Sequence, residues 1–494
     1  MVNVKVFVPI LVFLLIGCAD ETETVPDDCS VPVIAWDEPS ARFNLQQGEV
    51  LTLVPVITGT DETTTYVWTR DDVIVGTEDH YTFEADSVGE FFIRLDVSNR
   101  CGTATDEAKI TVKASATAAL PDIPPADSTF AWRFPWTEIN IARGRIVNIT
   151  AAILRNAPDT LTYTWSFDGL DQQVITPTPT MVFIGQEGSH TISVSTTVCG
   201  QSYEQQFTVN VCPPEGTYRR PSTGQAMVNR IYEFIPAPGH QVNGYIIVGE
   251  AYPADCTHEQ ACDSVLAHFS RRWSVSLGSQ GGYLVAGFDH SVPVSADDYD
   301  LCVRGNPFSY QSEPGIIWVS QDDNGDGLPN DQWFELAGSE YGTSRHRTNY
   351  AITYYRPAQP HSATAWRDCD GRTGYVPYMS YWNPSATYWQ PWVEGEERTY
   401  FGSWLADISS YNLGISDIPP YDWGYVDNLG QDFIDGPAGK MGYYRVSNAR
   451  TWDGQPANLK YFDFVKIQTA QIGSTPNLGD ISTEIYYISD CHLE

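Results

Sequence analysis

Short alternations of apolar and polar residues, broken by Gly, Asn, Asp and Pro, run through most of the chain, and one set of them occurs twice. The segment "NLQQGEVLTLVPVI" from Asn44 has its counterpart in "NIARGRIVNITAAI" from Asn140. "TYVW", ending at Trp68, is matched by "TYTW", ending at Trp165, 97 residues later. "SVGEFFIRLDVSNRCG" then pairs with "QEGSHTISVSTTVCG", and the "ITV" at 110–112 with the "VNV" at 209–211. A period of two turns successive side chains to opposite faces of a strand, so each repeat predicts a β-sandwich whose strands bury one face. The predicted units cover residues 28–113 and 126–212. The repeated Trp is expected as the plug between the two sheets, because a large ring at mid-strand reaches both.

The Ala/Pro-rich stretch 114–125 reads as an extended, stiff linker. From 217 to 494 the texture changes. Strand-like runs recur ("GGYLVAGF", "YDLCVRG", "GIIWVSQ", "WFELAG", "YAITYYR", "FDFVKIQTA" and "TEIYYIS"), separated by turn pairs such as Asn243-Gly244, Asp370-Gly371 and Asp453-Gly454. One short helix is expected around "EQACDSVLAHFSRRW". So many strands in one domain predict a larger, jelly-roll-like two-sheet β-domain with long loops, and the fold class of the whole chain is all-β.

The paired repeats resemble PKD-type domains, immunoglobulin-like sandwiches found in tandem on bacterial surface proteins. They depart from the best-known form in lacking a clear "WDFGDG" turn. Trp165-Ser166-Phe167-Asp168-Gly169 approaches it, and Trp68-Thr69-Arg70-Asp71 does so less well. The resemblance implies spacers or protein-contact modules without catalytic groups. Further on, "GGYLVAGFDHSV", "YDLCVRGNPF", "SEPGIIWVSQDDNGDGLPNDQWFELAGSE" and "FDFVKIQTAQ" resemble the C-terminal domain of Bacteroidetes cell-surface lipoproteins that carry PKD-like repeats. That resemblance implies a surface accessory protein of nutrient uptake, working beside an outer-membrane transporter, and no reaction comes with it.

The first residues agree with that setting. One lysine, Lys5, precedes an apolar run from Val6 to Gly17, the length of a secretory h-region and short for a bilayer span. Leu15-Ile16-Gly17-Cys18 resembles the lipobox of bacterial lipoproteins, which makes residues 1–18 signal peptide and lipobox and Cys18 the acylated anchor. The acidic, aperiodic residues 19–27 read as a tether, similar to the surface-export signal of Bacteroidetes lipoproteins. The expected location is the outer membrane, facing the exterior, with the lipid as the membrane contact.

Composition changes the picture in two respects. With 28 basic and 62 acidic residues the formal net charge is −34, a field that repels phosphate backbones and excludes nucleic acid as an expected partner. Cys18 apart, nine cysteines remain, with no CxxC and no zinc-like Cys/His spacing, so structural bridges and buried thiols are expected. A Cys29–Cys101 bridge is one such expectation.

Two stretches carry candidate chemistry. In "WVSQDDNGDGLPNDQWFELAGSE", Asp322, Asn324 and Asp326 stand at positions one, three and five of a calcium-type loop, with Gly327 at six and the Leu328 carbonyl at seven. Asn330 or Asp331 completes the set. Position twelve is Trp333 where an EF-hand carries its bidentate glutamate, and the flanks read as strands, so this is a loop between strands holding structural calcium, or else a bare Asp/Asn/Gly turn. The second stretch, 375–404, presents Trp382, Trp389, Trp392 and Trp404 on an irregular segment. Such rings serve either as a platform for a glycan or another small planar nutrient, a corrinoid among them, or as filling beneath long loops. HExxH, GxSxG and phosphate-binding glycine loops are absent. Their absence removes the easily recognised enzyme classes without excluding catalysis, and the expected function is a lipid-anchored binding protein. The alternatives are a polysaccharide hydrolase or lyase drawing on acids of 217–494, and a protein-binding adhesin or scaffold.

Overall fold

In the computed structural model, residues 30–36, 41–46, 50–71, 73–85, 89–113, 120–121, 123, 129–242, 252–253, 255–359, 361–379, 388–412, 415–475 and 479–494 are described. The chain divides into two units, Met1–Thr117 and Ala118–Glu494.

In the first unit, the alternating runs form a five-stranded sheet in the order Arg42–Gln46, Gly102–Lys113, Gly89–Asn99, Thr65–Arg70 and Val73–Gly76. Arg42–Gln46 joins it in parallel, with Phe43 opposite Ile110, and the other neighbours are antiparallel. Two further ladders, Val50–Leu53 with Tyr81–Glu84 and Val33–Ala35 with Val56–Thr58, complete the sandwich. Trp68 is fully buried among Leu53, Phe83, Ile93, Leu95 and Ile110, and its indole N–H donates to the Glu78 carbonyl (2.9 Å). A buried ring with its one polar atom satisfied retains the whole benefit of burial.

The second repeat reproduces the order: Glu138–Ala142, Gln201–Cys212, Gly188–Val198, Tyr163–Phe167, Val174–Thr176. The outer strand is again parallel, with Ile139 opposite Val209. Trp165 occupies the position of Trp68, fully buried, its N–H donating to Thr176 Oγ1 at 2.9 Å. Both Trp residues are thus the plugs that their repetition predicts.

The C-terminal module shares a compact unit with the second sandwich. Its main sheet has six antiparallel strands in the order Arg230–Ile235, Tyr283–Pro293, Tyr461–Thr469, Gly315–Ser320, Trp333–Leu336 and Ala449–Arg450. The unbroken apolar run of Gly315–Ser320 belongs to an interior strand buried on both faces, which alternation alone does not reveal. Two four-stranded sheets accompany it, where the sequence predicts a two-sheet, jelly-roll-like domain. One is built on Phe433–Gly436, Gly439–Tyr444, Leu301–Arg304 and Tyr487–Asp490; the other on Thr373–Val376, Thr364–Asp368, His346–Tyr355 and Glu397–Leu405. No barrel is closed among the described residues. The expected helix is present at His258–Ser270, opened by a capping box between Thr257 and Gln260.

A disulfide joins Cys302, on strand Leu301–Arg304, to Cys491, just past strand Tyr487–Asp490. Cys101 is disulfide-bonded as well, while Cys29, its expected partner, lies outside the described residues, as does Cys18. Cys199, Cys212, Cys256, Cys262 and Cys369 are free thiols. No helix among the described residues is long and apolar enough to cross a membrane.

Candidate functional site

The acidic loop connects two antiparallel strands, Gly315–Ser320 and Trp333–Leu336, as its flanks predict. Gly325 and Gly327 take φ of 76° and 73°, the left-handed turn conformation that favours glycine. Around them the polar side chains satisfy the backbone and one another. Asp322 accepts from the amides of Gly325 (2.8 Å) and Gly327 (3.0 Å). Asp326 accepts from the Leu328 amide (2.8 Å) and from the side-chain amides of Asn324 (2.7 Å) and Asn330 (2.9 Å). Leu328 itself is exposed.

The far side of this loop rests on the edge of the second sandwich, a contact that no motif announces. Asn140, on strand Glu138–Ala142, donates from its backbone to the Asn330 carbonyl (3.1 Å) and from its side chain to Asn330 Oδ1 (2.8 Å). The Gln332 amide donates to the Asn140 carbonyl (3.1 Å), and the Gln332 side chain to the Ile146 carbonyl (2.8 Å). Asp323, which alternate-residue loop counting skips, accepts from the Ala142 amide at 3.0 Å. Asp331 accepts from the Asp323 amide at 3.2 Å. Burial pushes the Asp323 carboxyl up to about 7; burial and then the neighbouring Asp323 push Asp331 up to about 9.

Of the four tryptophans expected at a ligand platform, Trp382 lies outside the described residues. Trp389 is only 3% exposed, and its indole N–H is bound to the Val393 carbonyl (2.9 Å). Trp392 is half-buried against Tyr252 and Phe234 and donates to the Phe234 carbonyl (3.0 Å). Trp404 is half-buried, with Tyr350 on one side and the Arg372 guanidinium 5.4 Å from its ring. Trp389 and Trp392 therefore pack as core, because the loops over this sheet are long enough to need aromatic filling beneath them.

A cavity of about 700 Å³ opens elsewhere on the module. Its wall includes Arg272, Arg304 and Lys440 together with the rings of Phe308, Phe433, Tyr486 and Tyr487. Among the described residues no carboxylate lines it and none of the three cations forms a salt bridge. The Arg272 guanidinium lies 3.7 Å from the centre of the Tyr487 ring, Lys440 Nζ is 5.7 Å from that of Phe433, and Arg304 donates to the Lys440 carbonyl. Three cations thus gather on one wall in a chain with more than twice as many acidic as basic residues; Asp435 is the cross-strand neighbour of Lys440, and the Glu494 carboxylate acts on the Tyr487 phenol. These residues come from four separate stretches of chain, and no local motif marks them.

Behind this wall stand three carboxyl groups, Glu313, Asp427 and Glu484, whose oxygens lie within 4.8 Å of one another. Asp427 accepts from the Asn306 amide (2.7 Å) and the Glu484 amide (2.9 Å), and Glu313 from the Ser482 amide (3.1 Å). A Cβ on Gly305, a residue of the cavity wall, would stand 2.7 Å from Asp427 Oδ1. Burial raises all three above the ordinary carboxylate range, and mutual repulsion raises Glu313 and Glu484 further.

The PKD-like domain family matches residues 31–99, within the first sandwich. No curated protein matches the chain. Among solved structures, the PKD domain of human KIAA0319 is 14% identical, over 20% of this chain and 96% of that one, with a TM-score of 0.17. The fibronectin(III)-like modules of Clostridium thermocellum CbhA are 13% identical over 38% of this chain and all of theirs (TM-score 0.15). The titin domains z1z2, solved in complex with telethonin, are 17% identical over 37% and 98% (TM-score 0.15). At such TM-scores these structures carry nothing about ligands or partners.

Proposed function

We propose that this is a lipid-anchored binding protein of the outer membrane, facing the exterior, in which the two sandwiches are spacers and the C-terminal module captures a nutrient for an outer-membrane transporter. The cavity lined by Arg272, Arg304 and Lys440 is the observation that carries this reading. Rings supply flat apolar contact at low entropic cost, and cations that form no salt bridge among the described residues supply orientation and attraction for an anionic group. The ligand is accordingly a glycan or a planar nutrient, corrinoids included, that bears an acidic or phosphate group.

The test is a binding screen of acidic glycans and phosphate-bearing cofactors against the purified protein and an Arg304→Ala/Lys440→Ala variant. A hit should bind at least about tenfold more weakly to the variant, the loss of one modest ionic contact, while the melting temperature stays unchanged. A ligand that binds both proteins equally would remove the cavity from the account. Turnover of a polysaccharide would promote the hydrolase or lyase alternative, and binding of a protein alone the adhesin. The anchor is tested separately: radiolabelled palmitate should enter the wild-type protein and not Cys18→Ala.

A further inference from the structure

The acidic loop leaves polar demand unmet at its seam with the second sandwich. Five of its six sequence-predicted calcium ligands are either occupied within the loop or by Asn140, or, like Leu328, stand in solvent. The sixth, Asp331, is 1% exposed, and its Oδ2 has no hydrogen-bond partner. Asp323, 6% exposed, similarly leaves Oδ1 unpartnered, and the adjoining Gln332 leaves Oε1. Three buried oxygens without donors on one short stretch are unusual, because a buried acceptor that gives up water and gains nothing is costly.

The surrounding charges do not answer them. Arg145, beside Asp323, is held by Glu215 (2.7 Å) and by the Ala457 carbonyl (2.6 Å). Arg220 pairs with Asp463 (2.9 Å), which also accepts from the Asp322 amide. The remaining charged neighbours, Asp322 and Asp326, are acidic. The Cys212 thiol lies near both carboxylates, but sulfur is a poor ligand for a hard ion.

We infer that a calcium ion is held at the seam by Asp323 and Asp331 and latches the second sandwich to the C-terminal module. Calcium takes oxygen donors in flexible geometry, and carboxylates with free oxygens at 1% and 6% exposure supply the charge it requires. The site differs from the calcium loop expected at Asp322, Asn324 and Asp326: there the side chains shape the turn, and here two buried carboxylates of the same loop hold the ion while Asp323 accepts from the Ala142 amide of the sandwich. It stands independently of the ligand proposed for the cavity.

The experiment uses the full chain, stripped with EGTA and titrated with terbium, whose luminescence the nearby Trp333 sensitises. One saturable site is expected, displaced by calcium, retained in Asp326→Asn and lost in Asp331→Asn and Asp323→Asn. Calcium should also raise the melting temperature of the wild-type protein and slow proteolysis within 213–229, the segment joining the two domains, at least tenfold. The wild-type measurements remain decisive even where a variant fails to fold. Absence of a saturable terbium site, absence of a calcium-dependent melting shift, or loss of binding in Asp326→Asn with retention in Asp331→Asn would each overturn the inference.

Discussion

The substitution Glu313→Gln should stabilise the protein at pH 8 and leave it nearly unchanged at pH 5. The three carboxyls that include Glu313 have oxygens within 4.8 Å of one another. Two like charges at that separation repel by about 3 kcal/mol at an effective dielectric of about 20. Burial, the larger cause, and this repulsion both favour the protonated form, so the folded protein retains protons that the unfolded chain releases. The sign follows: stability is fully present below the ordinary carboxylate range and falls as pH rises through the raised values. The substituted amide keeps an oxygen to accept from the Ser482 amide and presents a donor towards Glu484, imitating the protonated acid without the cost of losing its proton. The expected gain at pH 8 is about 1–3 kcal/mol, against less than about 0.5 at pH 5. Urea unfolding of both proteins at the two pH values and fixed calcium, followed by near-UV circular dichroism, measures it. The difference between the two proteins is the readout, since every other titrating group contributes to both curves alike. A variant less stable than wild type at pH 8 would contradict this account, for it would mean that the carboxylates are ionised and balanced by a bound cation.

Trp165→Ala should cost about 3–5 kcal/mol, because a fully buried ring is lost and the Thr176 hydroxyl loses its indole donor; a thermal melt that moves by less than a few degrees would contradict the plug. Trp389→Ala should destabilise by a similar ~3–5 kcal/mol, so any loss of ligand binding in it should track unfolding in circular dichroism; a folded variant with selectively lost binding would return Trp389 to the ligand site. Reducing the Cys302–Cys491 bridge, which spans 189 residues of sequence, releases a long loop in the unfolded chain and should cost about 3–5 kcal/mol; scanning calorimetry with and without dithiothreitol reports it, and equal transitions would count against the bridge.

The sandwiches were legible because their information is local. Period-two alternation specifies which side chains share a face, and its repetition after 97 residues identifies Trp68 and Trp165 as equivalent before any coordinate is known. The turn between Gly315–Ser320 and Trp333–Leu336 was legible for the same reason: glycine at 327 and alternating Asp and Asn announce a backbone that must curl. The aromatic stretch is legible only in part, since the sequence shows that Trp389 and Trp392 exist but not which carbonyls receive their N–H groups or which rings cover them.

What the sequence could not state is everything that depends on which distant strands become neighbours. Asp323 looks like the residue a calcium loop skips until strand Glu138–Ala142, about 180 positions earlier, offers it an amide. Arg272, Arg304 and Lys440 are ordinary surface cations in the sequence, and Glu313, Asp427 and Glu484 ordinary acids, until sheet pairing collects the first three around a cavity and the others behind it. Backbone periodicity is written residue by residue and survives in the unfolded chain's order. Charge, burial and unmet hydrogen bonds are properties of a place, and the place exists only after long-range pairing has excluded water from it.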